Sequence, residues 1–238
     1  MKKLLTVSAT LFCMIGFAQE KNNTLSEREK TQKWKLLFDG ETTKGWHSFN
    51  KDTAGAAWKV KDGELYLDTT KKDGWQMANG KDLTSDKAYS NFDLKLEWKI
   101  SKAGNSGIIF FAQEDGRHQN SWETGPEMQI AGEENEDGNV IKHQAGDLYD
   151  LMACSQKKIN PAGEWNQVEI ISQNGGLTLM VNNVKVISTT LWNEGWRKLI
   201  ARSKFKDMPD FGKFHSGKIA LQDHGAMVSF RNIKIKEL

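Results

Sequence analysis

Cysteine is almost missing from this 238-residue chain, which has only Cys13 and Cys154. Residues 1–18 read as a cleavable export signal, so Cys13 leaves with it and Cys154 stands alone. That excludes an internal disulfide, and the fold must be held by its core. An excess of one charge is missing too. Lys and Arg number 33 against 31 Asp and Glu, and removal of Lys2 and Lys3 with the signal levels the two. With no basic field, nucleic acid and anionic membrane are excluded as expected partners. The longest apolar run, residues 4–17, is too short to span a bilayer as a helix, so no transmembrane segment is expected. Also absent are a Gly-rich phosphate loop, Cys-x-x-Cys, His-Glu-x-x-His and the Gly-x-Ser-x-Gly elbow.

The signal reading rests on Lys2 and Lys3 ahead of an uncharged apolar stretch, with Gly16-Phe17-Ala18 before the cleavage point. It predicts a periplasmic or extracellular protein. Lipid anchoring would have to use Cys13, but Phe12 is bulky where a small residue is needed. About 220 residues remain, enough for one large β domain. Residues 19–33 are polar and read as a linker, so the domain is expected over residues 34–238.

Periodicity is the strongest feature present. Along residues 91–100, Phe92, Leu94, Leu96, Trp98 and Ile100 alternate with polar residues, which predicts a strand with one face on a core and one in water. Residues 107–113 are nearly all apolar, as in a strand buried on both faces. Residues 165–190 predict an antiparallel meander, turning at Asn174-Gly175-Gly176 and Asn182-Asn183. Residues 218–222 and 228–235 predict the last strands. Only residues 191–205 suggest a helix, weakened by Gly195. Many short strands between Gly, Asn and Asp turns indicate an all-β, two-sheet jelly-roll sandwich with one short inserted helix.

All nine Trp lie outside the signal. Most are expected in the core, with two or three exposed in a cleft as stacking platforms for sugar rings. Within Gly125-Pro126-Glu127-Met128-Gln129-Ile130, a strand puts Glu127 and Gln129 on one face and Met128 and Ile130 on the other. That face is either the wall of a polar groove or an ordinary solvent-facing side. In a cleft, Glu127 could act as general acid or base. His143 through Tyr149, Gln222-Asp223-His224-Gly225 and Asn105-Ser106-Gly107 are further polar clusters, each equally readable as a turn.

Taken in order, Asn105-Ser106-Gly107-Ile108, Pro126-Glu127-x-Gln129-Ile130, His143-x-x-Gly146-x-Leu148-Tyr149, Gly163-Glu164-Trp165-Asn166, Leu221-Gln222-Asp223-His224-Gly225 and Phe230-Arg231-Asn232-Ile233-x-Ile235 resemble the 3-keto-disaccharide hydrolase domain family. The resemblance runs from Trp34 to the C-terminus and includes Leu37-Phe38-Asp39-Gly40 and Gly45-Trp46. It implies a concanavalin A-like jelly roll acting on glycosides whose C3 hydroxyl is oxidised to a ketone. The ketone acidifies the C2 proton. A base removes that proton, the C1 oxygen leaves by elimination, and water completes a net hydrolysis. For that chemistry Glu127 or His143 is expected as base, with His224 as acid and Asp223 orienting it. Asn105, Gln129, Tyr149 and Trp122 would bind the sugar. A divalent metal could hold the enolate, with Glu127, His143 and His224 as ligands.

Two rival readings remain. A conventional retaining glycosidase needs two carboxylates about 5 Å apart. Here Gln129 stands where a Glu-x-Asp-x-x-Glu strand has its Asp, and Glu133 falls out of register. The other rival is a non-catalytic carbohydrate-binding module, since one fold serves both roles.

Overall fold

The protein is described from a computed structural model, which covers residues 21–156 and 158–238. Residues 1–18, expected to be an export signal and including Cys13, lie outside the described residues.

The alternating segment forms the strand Phe92–Ile100, the centre of an eight-stranded antiparallel sheet. The meander lies on one side of it as Asn166–Gln173, Gly176–Val181 and Val184–Thr190. On the other side stand Val228–Glu237, Glu64–Leu67 and Trp58–Lys61, and Lys35–Leu36 also pairs with Val228–Glu237. Asn182 and Asn183 adopt φ of 46° and 64° at one hairpin, the left-handed conformation that makes a tight reversal possible. A five-stranded antiparallel sheet runs Glu127–Ala131, Asn105–Ala112, Gly217–Leu221, Leu83–Tyr89, Trp46–Ser48. A two-stranded hairpin, Lys72–Asp73 with Gln76–Met77, completes the two-sheet jelly roll.

Between the sheets lies one continuous core that includes Leu94, Leu96, Trp98, Ile170, Leu179 and Phe230 from the large sheet and Ile108, Phe110, Met128, Ile130 and Leu221 from the small one. Hydrophobic burial of this extent is the main force holding the domain, which has no disulfide among its described residues. Five Trp are core, at 6% exposure or less: Trp34, Trp46, Trp58, Trp98 and Trp196. Three of these satisfy the indole N–H internally, Trp46 on Leu37 O (2.6 Å), Trp58 on Lys81 O (2.8 Å) and Trp196 on Gly212 O (2.8 Å).

Two expectations change. The residue 191–205 segment forms helix α1, Glu194–Ala201, and then a separate 3-10 turn, Lys204–Asp207. Ser203 starts that turn by accepting the Phe205 N–H (3.1 Å). Residues 21–33 are not a loose linker. They hold a five-residue helix, Glu27–Thr31, with a Ser26/Glu29 capping box. Asn23 N donates to Asn232 Oδ1 (2.6 Å), Asn232 N donates back to Asn23 Oδ1 (2.8 Å), and Lys234 pairs with Glu29. This clamp is polar, so hydrophobicity along the chain does not reveal it.

Candidate active site

The face of the small sheet turned away from the core carries a cleft of about 180 Å³. Register builds it. Gln129 lies opposite Gly107 and Glu127 opposite Ile109 across the strand pair, so these four share a face. Met128 and Ile130 point the other way into the core. Gln222 continues the next strand, its N–H donating to Gly107 O (2.9 Å). Asn105 Oδ1 accepts from Gln129 Nε2 (3.1 Å). The segment 143–149 runs along the free edge of Glu127–Ala131. Tyr149 N donates to Glu127 O (2.9 Å) and Gln129 N to Asp147 O (3.0 Å), which brings Tyr149 to the wall. The remaining lining is Trp75, Trp122, Lys204, Phe205 and His224.

Glu127 forms the floor. It is 5% exposed, and its Oε1 has no hydrogen-bond partner, as is true of Gln222 Oε1. Buried polar atoms are nearly always paired, so two orphan acceptors in one cleft are what a polar ligand with donor hydroxyls would complete. The carboxylate fits because residue 107 is Gly. A Cβ there would lie 1.9 Å from Glu127 Oε1. Burial pushes the Glu127 pKa up to about 8, and the buried Asp82 carboxylate adds to the rise. The Lys204 ammonium and the Gln222 amide work against it. Lys204 Nζ sits 4.2 Å from the Tyr149 ring centre, and partial desolvation lowers its pKa. His224 is exposed at the mouth, 5.3 Å from the Trp75 ring, and partial burial of the imidazole lowers its pKa.

The cleft thus gathers Glu127, His224, Asn105, Gln129, Tyr149 and Trp122. His143 and Asp223 are elsewhere. His143 packs against the outer side of Tyr149, ring centres 4.3 Å apart, with Nε2 3.0 Å from Asp150 Oδ1. It does not line the cleft, which corrects its expected role as base. Asp223 is fully buried. Its carboxylate accepts the N–H groups of Met77 (3.0 Å) and Gly225 (2.9 Å), so it orients backbone and not the His224 ring. Adjacent residues of an extended chain point to opposite sides, and that separates Asp223 from His224.

The expected metal ligands do not converge either. Among the described residues no three His, Cys, Asp or Glu side chains are grouped to hold an ion, and His143 is held by Asp150. The cleft offers one carboxylate, one imidazole, three amides and the Lys204 ammonium, a donor set that does not fit a divalent cation. Lys204, Trp75, Gln222 and Phe205 complete the lining without having been expected. Gln222 lay within a motif already noted, whereas Lys204 had only the Ser203 turn-start beside it as a signal.

The chain is thus an antiparallel jelly-roll protein with a small polar cleft on its outer sheet face, walled by aromatic rings. Its family follows from comparison. A profile described as the 3-keto-alpha-glucoside-1,2-lyase-like domain matches residues 33–236, and the chain belongs to that family. It is 33% identical over 224 residues to a 3-keto-disaccharide hydrolase of Bacteroides thetaiotaomicron, covering 85% of this chain and 77% of that protein. It also resembles the crystal structure of a candidate glycosyl hydrolase from Parabacteroides distasonis, with TM-score 0.82 and 32% identity over 92% of this chain and all of the other. A galectin-like protein of unknown function from Bacillus subtilis shares the fold, with TM-score 0.51 and 9% identity over 91% of this chain and 94% of that one.

Proposed function

We propose that the cleft breaks the glycosidic bond of 3-keto glycosides and disaccharides by C2 proton abstraction and elimination, followed by hydration. Family membership and the 33%-identical hydrolase make the chain an enzyme of 3-keto sugars. The ketone at C3 acidifies the C2 proton, and Glu127, on the floor, removes it. The electron pair moves to the C3 oxygen, where the Lys204 ammonium stabilises the enolate. The C1–O bond then breaks, and His224, at the mouth through which the aglycone departs, protonates the leaving oxygen. Water adds to C1 of the enone, giving up a proton to the neutral His224, while Glu127 returns its proton to C2, so net hydrolysis leaves both groups as they began.

One observation carries this reading: among the described residues, Glu127 is the sole carboxylate lining the cleft. Glu133 lies in a different cavity and accepts the Ala162 N–H (3.0 Å). Retention through two carboxylates about 5 Å apart therefore has no partner residue. A pure binding module would gain nothing from a buried, half-unpaired carboxylate, which costs stability. A base strengthened by burial gains directly.

The test compares 3-keto-trehalose with trehalose. Wild-type protein is expected to cleave only the oxidised sugar, and Glu127→Gln to slow it by about 10³-fold or more. Near-normal turnover by the variant, or equal cleavage of trehalose, refutes the reading. The same reading places the enzyme outside the cytoplasm, on the residue 1–18 pattern. N-terminal sequencing of the mature chain, expected to start at Gln19, checks it.

A further inference from the structure

Resting on that reading of the cleft, we infer that Trp75 is the aglycone platform and that it selects glycosides of aromatic alcohols. A cleft of about 180 Å³ is well below the roughly 300–1,000 Å³ of sites that enclose a drug-sized ligand. It holds one sugar ring and leaves the aglycone outside. The polar groups suited to a sugar, Asn105, Gln129 and Gln222, are all buried around Glu127, so they serve that enclosed ring.

The mouth is different. Trp75 is the lining residue that is both large and apolar and still 46% exposed. Its ring stands 5.3 Å from His224, tilted by 52°, beside the group that protonates the leaving oxygen. Next to it, the Gln76 side chain is already engaged, donating to Asp223 O (3.2 Å). What meets the aglycone is therefore a flat aromatic face that pairs with a planar ring, while the engaged Gln76 amide leaves no partner there for the hydroxyl groups of a second sugar.

The platform is rigid. The hairpin that carries it is pinned where Met77 N donates to the Asp223 carboxylate (3.0 Å). Gly225, at φ 70°, passes so close beneath that a Cβ would lie 2.6 Å from Trp75 O. The hairpin bearing Trp75 and the 223–225 segment bearing His224 are thus joined through backbone contacts, which holds the platform beside the acid. An exposed aromatic held this firmly is pre-organised to stack, because little freedom is lost on binding.

The experiment measures kcat/KM for phenyl and methyl 3-keto-α-glucosides with wild type, Trp75→Ala and Trp75→Phe. The phenyl-to-methyl ratio is expected to fall about tenfold in Trp75→Ala and to recover most of that in Trp75→Phe. A ratio unchanged within about twofold in Trp75→Ala overturns the platform, whatever happens to the absolute rates. Calorimetric binding of unoxidised phenyl glucoside gives a readout independent of turnover. Weaker binding by Trp75→Ala than by wild type supports the platform, and equal binding overturns it. Failure of wild type to turn over either 3-keto glucoside would instead sink the elimination chemistry, with calorimetry still deciding the platform.

Discussion

His143 Nε2 lies 3.0 Å from Asp150 Oδ1, and the other oxygen of that carboxylate accepts the Lys204 N–H (2.6 Å). A residue expected to take part in chemistry is thus the outer end of a strut. It backs Tyr149 on one side and, through Asp150, fixes where the Lys204 turn begins. His143→Ala and Asp150→Asn are each expected to lower kcat by about tenfold, the scale of a displaced group. The pH midpoint of kcat/KM should persist and shift only upward, because a displaced Lys204 ammonium opposes the rise of Glu127 less. A loss of 10³-fold with disappearance of that midpoint would return His143 to the chemistry.

The pH profile separates base from acid. Glu127 must be ionised to act as base, and burial lifts it to about 8. For an aryl glycoside whose phenolate leaves without help, His224 need not be protonated. Then kcat/KM is expected to rise with pH through a single midpoint at about 8. For a methyl glycoside, which also needs His224 protonated, the two midpoints are reversed because burial lowers the imidazole while it raises Glu127, so kcat/KM should level off on the acid side of 8 and fall through about 8, and His224→Asn should be most damaging. A profile for the aryl substrate that falls through 8 would exchange the roles of Glu127 and His224.

Much of this fold could be read from residue order because strand periodicity is local. The alternation from Phe92 to Ile100 survives as a half-buried strand, and the Asn182-Asn183 turn stands where the pattern breaks. Glu127 and Gln129 were readable for the same reason, since a period of two assigns a face. Lys204 and Trp75 were not. They arrive on a 3-10 turn and a two-residue hairpin, whose positions depend on contacts with distant chain, Asp150 for one and Asp223 for the other. The Asp223-His224 pair misled because closeness in sequence suggested contact, while the backbone turns one inward and one outward. Residues 21–33 misled because a polar clamp orders them.

Holding Glu127 in the floor should cost stability in a pH-dependent way. Its ordinary pKa of 4.5 rises to about 8 on folding. Below 4.5 the side chain is neutral in both states and the cost vanishes. Between 4.5 and 8 the unfolded chain ionises first, so the folded state loses ground steadily as pH rises. Glu127→Gln removes the ionisable group and is expected to stabilise the protein by roughly 1–3 kcal/mol at pH 8.5, and by little near pH 4.5. Thermal melts of both proteins at the two pH values check this. An equal gain at both would assign the effect to packing and not to charge.

Gly107 links sheet geometry most directly to activity. A methyl group at this position would lie 1.9 Å from Glu127 Oε1, 2.5 Å from its Cδ and 2.7 Å from its Cγ. All three belong to the Glu127 side chain and none to backbone, so turning that side chain about χ1 relieves the contact without the strands parting. The Gln129 partner across the ladder and the Gln222 N–H on Gly107 O involve backbone that the substitution leaves in place. Gly107→Ala is therefore expected to fold, with a melting temperature within about 5 °C of wild type, as a change of order 1 kcal/mol gives. Its kcat/KM should nonetheless fall by about 10²-fold or more, because a base displaced by an ångström no longer meets the C2 proton. Kinetics and melting on the same preparation check the pair of outcomes. A stable variant with normal turnover would mean that Glu127 does not act from the position it holds here.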